Sequence, residues 1–181
     1  MIGWKVGFGS PDALERLGLE RPLVAPLPED GLLADGSTVD VSGWTSPVLE
    51  PEVAVYVGRG LGVAIELADV GVPPDDVERI LAGGIYHRHV VLGPPRAHDL
   101  ESVTARVLRD GEEVATTVDL TALTGSLEFV RETVELHAGR ELHEGELVIA
   151  GSVLPPQPLA PGEHWRVELL PLGALEVRLA R

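Results

Sequence analysis

Two strand-length runs stand one after the other in the first half of the chain, Glu50–Val57 and Val63–Val70, separated by the turn Gly58–Gly62. The first alternates and then continues into β-branched residues, the pattern of a strand. The second is apolar except at Glu66 and Asp69. In a strand, residues i and i+2 share a face, so Glu50 and Glu52 lie side by side. Two carboxylates at that distance raise each other's proton affinity unless a cation lies between them. A hard dication such as Mg²⁺ prefers oxygen ligands and meets this need. Glu66 lies inside Val63-Ala64-Ile65-Glu66-Leu67-Ala68, where a carboxylate is costly unless paired or ligated. Arriving from a neighbouring strand, it would complete a three-carboxylate metal site, with water and a bidentate substrate in the open positions.

The rest of the chain reads as short strands with few helices. Trp4–Phe8 is a strand, and Ser10-Pro11-Asp12 has the N-cap and first-turn proline of a short helix that Gly18 closes. Ser37–Val41 is a short strand, Pro74–Ala82 a short helix and His89–Leu92 a compact strand. Val103–Leu108 and Glu113–Val118 form a hairpin around Asp110-Gly111. Leu127–Ala138 carries one apolar face at helical spacing and is followed by Gly139. Gly145–Ala150, Trp165–Leu170 and Leu175–Leu179 are late strands. Aromatic residues make up only 4% of the chain, so Val, Leu and Ala must supply most of the core. The predicted class is α+β, a mixed sheet closed into a roll or barrel, in a single domain spanning residues 1–181.

Composition narrows the function. A net charge of −15 opposes nucleic acid and suits a site that collects a cation. The absence of cysteine excludes disulfides and thiolate metal sites. No apolar run approaches the roughly 20 residues of a membrane-spanning helix. The start, Met1-Ile2-Gly3-Trp4-Lys5, lacks the features of a signal peptide, so a cytoplasmic location is expected. Of the 14 basic residues, 13 are arginine and one is Lys5. Arginine does not release its proton in a protein, whereas lysine can, so the sole lysine is either an accident of biased base composition or the one position where arginine would not serve. His87 and His89 share a strand face with no third ligand nearby in sequence, and they read as structural.

The order of these features resembles the fumarylacetoacetate hydrolase superfamily, on the branch of the 2-keto-4-pentenoate hydratases. Gly3-Trp4-Lys5-Val6-Gly7-Phe8 is similar to that branch's G-x-K-x-G strand, and Ser10–Leu19 to its short helix ending in L-G. Leu49-Glu50-Pro51-Glu52-Val53-Ala54 resembles its E-x-E metal motif. Ile65-Glu66-Leu67-Ala68-Asp69 resembles the strand that supplies the third ligand. Val90-Val91-Leu92-Gly93-Pro94 and the run Gly145–Ser152 look like its later landmarks. Three departures stand out. Glu52 and Glu66 are only 14 positions apart, without the branch's helical insert; Gly83-Gly84 replaces a polar position; and Ala150 replaces a threonine.

The resemblance implies Glu50, Glu52 and Glu66 as ligands of Mg²⁺ (or Mn²⁺ or Ca²⁺). It places Lys5 in the active site, with Asp69 and Ser152 as substrate contacts. It implies a small-molecule 2-oxo acid as substrate, a hydratase (hydro-lyase) reaction through a metal-stabilised enolate, and a homodimer or higher homo-oligomer. An acylpyruvate-type C–C hydrolase and a 2-oxo acid decarboxylase are the alternatives on the same scaffold. A non-catalytic metal- or partner-binding member is the alternative of another class.

Overall fold

The computed structural model describes residues 1–71, 75–120 and 126–181. In chain order the elements are β1 (Gly3–Gly7), α1 (Pro11–Leu17), β2 (Leu23–Leu27), β3 (Leu32–Leu33), β4 (Thr38–Val39), β5 (Pro47–Tyr56) and β6 (Gly60–Asp69). They continue with α2 (Val77–Ala82), β7 (His87–Leu92), β8 (Thr104–Arg109), β9 (Glu112–Thr117) and α3 (Leu127–Ala138). The last four are β10 (Leu147–Ser152), β11 (Gln157–Pro158), β12 (His164–Leu170) and β13 (Gly173–Leu179). The expected class is observed: strands dominate, the helices are short, and the principal sheet is mixed and curled into a half-barrel.

That sheet runs β2-β1-β10-β5-β6-β7-β3, with β11 added alongside β5. Pairing is parallel between β1 and β10 and between β3 and β7, and antiparallel elsewhere. A second sheet, β4-β13-β12-β8-β9, lies across one of its faces. Between the two sits the main core, in which Leu49, Val53, Val63, Ile65 and Leu67 meet Trp165, Val167, Leu169 and Val177. The period-2 rule explains the split: odd-numbered residues of β5 and β6 bury against the second sheet, so Glu50, Glu52 and Glu66 must face the other way. Their side of the sheet is closed below by Leu27, Ala54, Ala64, Val90 and Ile149. On the outer side of β1 and β10, α3 packs Val130 and Val134 against Val6 and Val148.

Local chemistry accounts for the element ends. Ser10 caps α1 by accepting from the Ala13 N–H, and Gly18 ends it in the left-handed conformation at φ 64°. Ser126 and Gly139 bound α3 in the same way. The β8–β9 turn takes Asp110 and Gly111 at φ 52° and 85°, as its Asp-Gly sequence predicts. Elsewhere the bounds shift. The strand expected over Ser37–Val41 shrinks to Thr38–Val39, while pairing with its neighbours lengthens β7 back to His87 and brings β6 forward to Gly60. The second helix begins only at Val77, where Asp76 caps it, and the Pro74 start expected for it lies outside the described residues. Among the described residues no helix is long and apolar enough to cross a membrane.

Candidate metal centre and active-site cleft

The register of β5 and β6 sets Glu50 directly opposite Glu66, with Glu52 one step along the same face. One carboxylate oxygen from each of the three lies within 4.8 Å of the others. Two ligands held 2.0–2.6 Å from one cation are separated by no more than about 5.2 Å, so this spacing fits a single hard dication. Glu52 and Glu66 are completely buried. Each keeps one oxygen without a hydrogen-bond partner among the described residues, Glu52 Oε1 and Glu66 Oε2. Orphaned buried carboxylate oxygens are expensive unless something cationic takes them. The residues therefore fit a divalent metal by geometry and by donor type.

The other oxygens are fixed by the protein. Glu52 Oε2 accepts from the Gly151 N–H at 2.9 Å. This N–H is available because the β10–β5 ladder is irregular between Ile149 and Ser152, where Gly151 turns at φ 94°. Glu66 Oε1 accepts from Lys5 Nζ at 2.5 Å and lies 2.7 Å from His87 Nδ1. A carboxylate only accepts, so Nδ1 carries the hydrogen. Lys5, 2% exposed, also donates to the Ile85 carbonyl at 2.7 Å. That carbonyl is aimed by a left-handed stretch, Gly84, Ile85 and Tyr86 at φ 63°, 55° and 66°. Such a conformation is uncommon for a β-branched residue.

The charges act on one another. Burial would lower the Lys5 ammonium's affinity for its proton, but the charges of Glu66, Glu50 and Glu52 hold it above the usual lysine value. Burial pushes Glu66 up, and Lys5 and His87 together pull it down to about 2. Burial first, and Glu66 next, drive Glu52 well above the carboxylate range. Glu50 is pushed up to about 7 by burial, with Lys5 opposing and Glu66 adding to the rise.

A cleft of about 420 Å³ reaches this centre through Lys5 and Glu50. Phe8, Val70, Ile85, Tyr86 and Pro156 form its apolar walls, and Ser152 and Arg16 add polar groups. The structure thus brings Lys5, Glu50, Glu52, Glu66 and Ser152 together. Asp69 is not among them. Three positions after Glu66 on the same strand, it faces the opposite side. Its Oδ1 accepts from the Thr45 and Ser46 N–H groups and its Oδ2 from Arg88, so it fastens a loop and does not line the cleft. His87 has a contact that the sequence reading did not foresee. Treated there as structural, it touches a central carboxylate. Its neighbour His89 packs beside Trp44.

No family model matches the chain. A "TodF product hydratase" from Pseudomonas putida F1 is 27% identical, with the alignment covering 100% of this chain and 77% of that protein. A 2-keto-4-pentenoate hydratase from Paraburkholderia xenovorans LB400 is 25% identical over 97% of this chain and 74% of its own length. Among solved structures, 4-oxalocrotonate decarboxylase from Pseudomonas putida G7, complexed with calcium and acetate, superposes with a TM-score of 0.84. It covers 99% of this chain and 77% of that one at 20% identity. These relatives and this fold support the resemblance to the fumarylacetoacetate hydrolase superfamily. The sequence relatives named here are hydratases, which supports the hydratase-like branch of that resemblance. In this fold carboxylates from β5 and β6 and a lysine from β1 share one face.

Proposed function

We propose that this chain is a divalent-metal-dependent hydratase acting on a 2-oxo acid of the 2-keto-4-pentenoate kind, with Glu50, Glu52 and Glu66 as ligands of Mg²⁺ or a similar cation. The observation that carries the reading is the convergence of Glu50, Glu52 and Glu66, two of them fully buried and each of those two keeping one oxygen without a hydrogen-bond partner among the described residues. When bound, the cation supplies Lewis acidity toward the keto group of a chelating 2-oxo acid. The chain's own residues do the rest. Lys5 uses two of its three N–H groups on Glu66 and Ile85, leaving a third to donate to the substrate's carboxylate. Ser152 gives its hydroxyl hydrogen to the Leu154 carbonyl, so toward a substrate it can only accept, as from a substrate hydroxyl. Phe8, Ile85 and Pro156 keep the reacting carbons away from bulk water.

In the proposed reaction water adds across the substrate's carbon–carbon double bond, a hydroxyl to one carbon and a proton to another. The direct test presents 2-keto-4-pentenoate as its dienol, 2-hydroxypenta-2,4-dienoate, with and without Mg²⁺, and follows loss of the dienol's conjugated absorbance and formation of the 4-hydroxy-2-oxo acid. Release of carbon dioxide from a 2-oxo-3-enedioic acid, whose far carboxylate can leave its bonding electrons on the keto group through the conjugated double bond, would assign the decarboxylase chemistry, and no change in 2-keto-4-pentenoate under either condition would reject turnover of this substrate. The reading includes a homodimer, which sedimentation at micromolar concentration tests.

A further inference from the structure

The cleft holds a second cation besides Lys5, and this one is uncommitted. Arg16, on the exposed side of α1, lines the same space as Lys5 and Glu50. Most arginines of this chain hold a carboxylate: Arg106 grips Glu168, Arg140 grips Glu146, and Arg166 joins Glu168 to Glu176. Among the described residues Arg16 has no carboxylate within 4.0 Å and no hydrogen-bond acceptor. The undescribed stretches, 72–74 and 121–125, contain no acidic residue that could serve. Lys5, by contrast, is already matched by Glu66.

The surroundings give this free guanidinium a use. It shares the cleft with apolar walls, Phe8, Val70, Tyr86 and Pro156. An ion pair formed beside such walls is less screened than one on an open surface. The chain as a whole carries −15, so a doubly charged anion is repelled unless a local cation draws it in. A guanidinium presents a planar fork of donors that matches a carboxylate.

We propose that Arg16 is a distal-carboxylate subsite, and that the substrate is a 2-oxo acid with a second carboxylate at its far end. The 2-oxo acid head would face Lys5 and the glutamates, and the tail carboxylate would meet Arg16 across the apolar middle of the cleft. This rests on the 2-oxo acid reading above and narrows it.

The test uses two probes of equal chain length, 2-oxoadipate and 2-oxohexanoate, which differ in the terminal carboxylate. With the full chain and saturating Mg²⁺, solvent deuterium exchange at C3 gives kcat/KM for each, and calorimetry gives the affinity for each without requiring turnover. Wild type should favour 2-oxoadipate. Arg16→Gln should lower the ratio of the diacid to the monoacid by roughly tenfold or more, with Arg16→Lys between the two. Arg16 is exposed, so neither change threatens the fold. An equal ratio in wild type and Arg16→Gln would overturn the subsite while leaving the 2-oxo acid reading intact. If neither probe exchanges in wild type, the 2-oxo acid reading fails as catalysis, and the calorimetric ratio alone decides the subsite: a loss confined to the diacid supports it, and equal affinities reject it.

Discussion

Replacing Glu50 by Gln separates what the acidic cluster costs the fold from what it does for a metal. In the metal-free protein Glu50 titrates near 7 against an ordinary value of 4.5. A displacement of that size corresponds to at most roughly 3 kcal/mol. Glu50 is only half-buried and borders the cleft, so water screens part of it, and about 2 kcal/mol is the working figure. The sign follows from proton linkage. A carboxylate whose folded pKa is raised binds its proton more tightly in the native state. Stability is therefore greatest below about pH 4.5 as far as this group is concerned, and it falls as pH rises through 7. In EDTA, Glu50→Gln should reduce the loss of stability between pH 5 and pH 8 by about 2 kcal/mol. At pH 8 it should melt roughly 4–8 °C above wild type. Mg²⁺ should reverse the ranking. A cation at a hundred times its dissociation constant stabilises wild type by about 2.7 kcal/mol, and most of that increment should vanish in the variant. Thermal and urea unfolding at the two pH values, with EDTA or Mg²⁺, measure all of these quantities. If Glu50→Gln in EDTA at pH 8 were less stable than wild type while keeping the full Mg²⁺ increment, the carboxylate would be an ordinary structural group and the reasoning would be wrong.

Two further substitutions address the groups around the cluster. Lys5→Met leaves Glu66 buried without its cation and should cost the metal-free protein about 3–5 kcal/mol in chemical unfolding. Lys5→Arg keeps the charge and should retain most of the stability, yet lower turnover by on the order of 10²–10⁴ through its bulk and its fixed proton. His87→Phe removes the second donor to Glu66 Oε1 and should weaken Mn²⁺ binding, followed by electron paramagnetic resonance, by roughly 10–100-fold. His87→Gln, which can still donate, should recover part of that loss.

Much of this site was legible in the sequence because it depends on strand parity. The pair Glu50 and Glu52 is an i,i+2 relation. Glu66 joins them because a carboxylate set among Val63, Ile65 and Leu67 has to leave the apolar face. The caps of α1 and the Asp-Gly turn were equally plain, since each is specified by residues adjacent in sequence. Parity also contained a warning about Asp69, which is an odd number of positions from Glu66 and so points to the other side of the strand. What could not be read depends on irregular backbone. His87 reaches Glu66 where the β6–β7 pairing slips at Leu67/Ala68. Gly151 reaches Glu52 from an irregularity in β10. The Ile85 carbonyl reaches Lys5 from three consecutive left-handed residues. A periodic pattern carries no trace of such departures. Arg16 escaped notice because an arginine on a short exposed helix looks like any solvated charge until the fold sets that helix beside Lys5.

The most direct test of the central claim is solvent deuterium exchange at C3 of a simple 2-oxo acid, which breaks a C3–H bond and forms a C3–D bond without requiring the physiological substrate. Proton magnetic resonance should show the C3 signal of 2-oxopentanoate disappearing with wild type and Mg²⁺. Exchange should fall to the solution rate in EDTA and with Glu52→Gln at the same Mg²⁺ concentration. Exchange that continues unchanged in EDTA, or in Glu52→Gln, would contradict the claim that these three glutamates form a metal centre for 2-oxo acid chemistry.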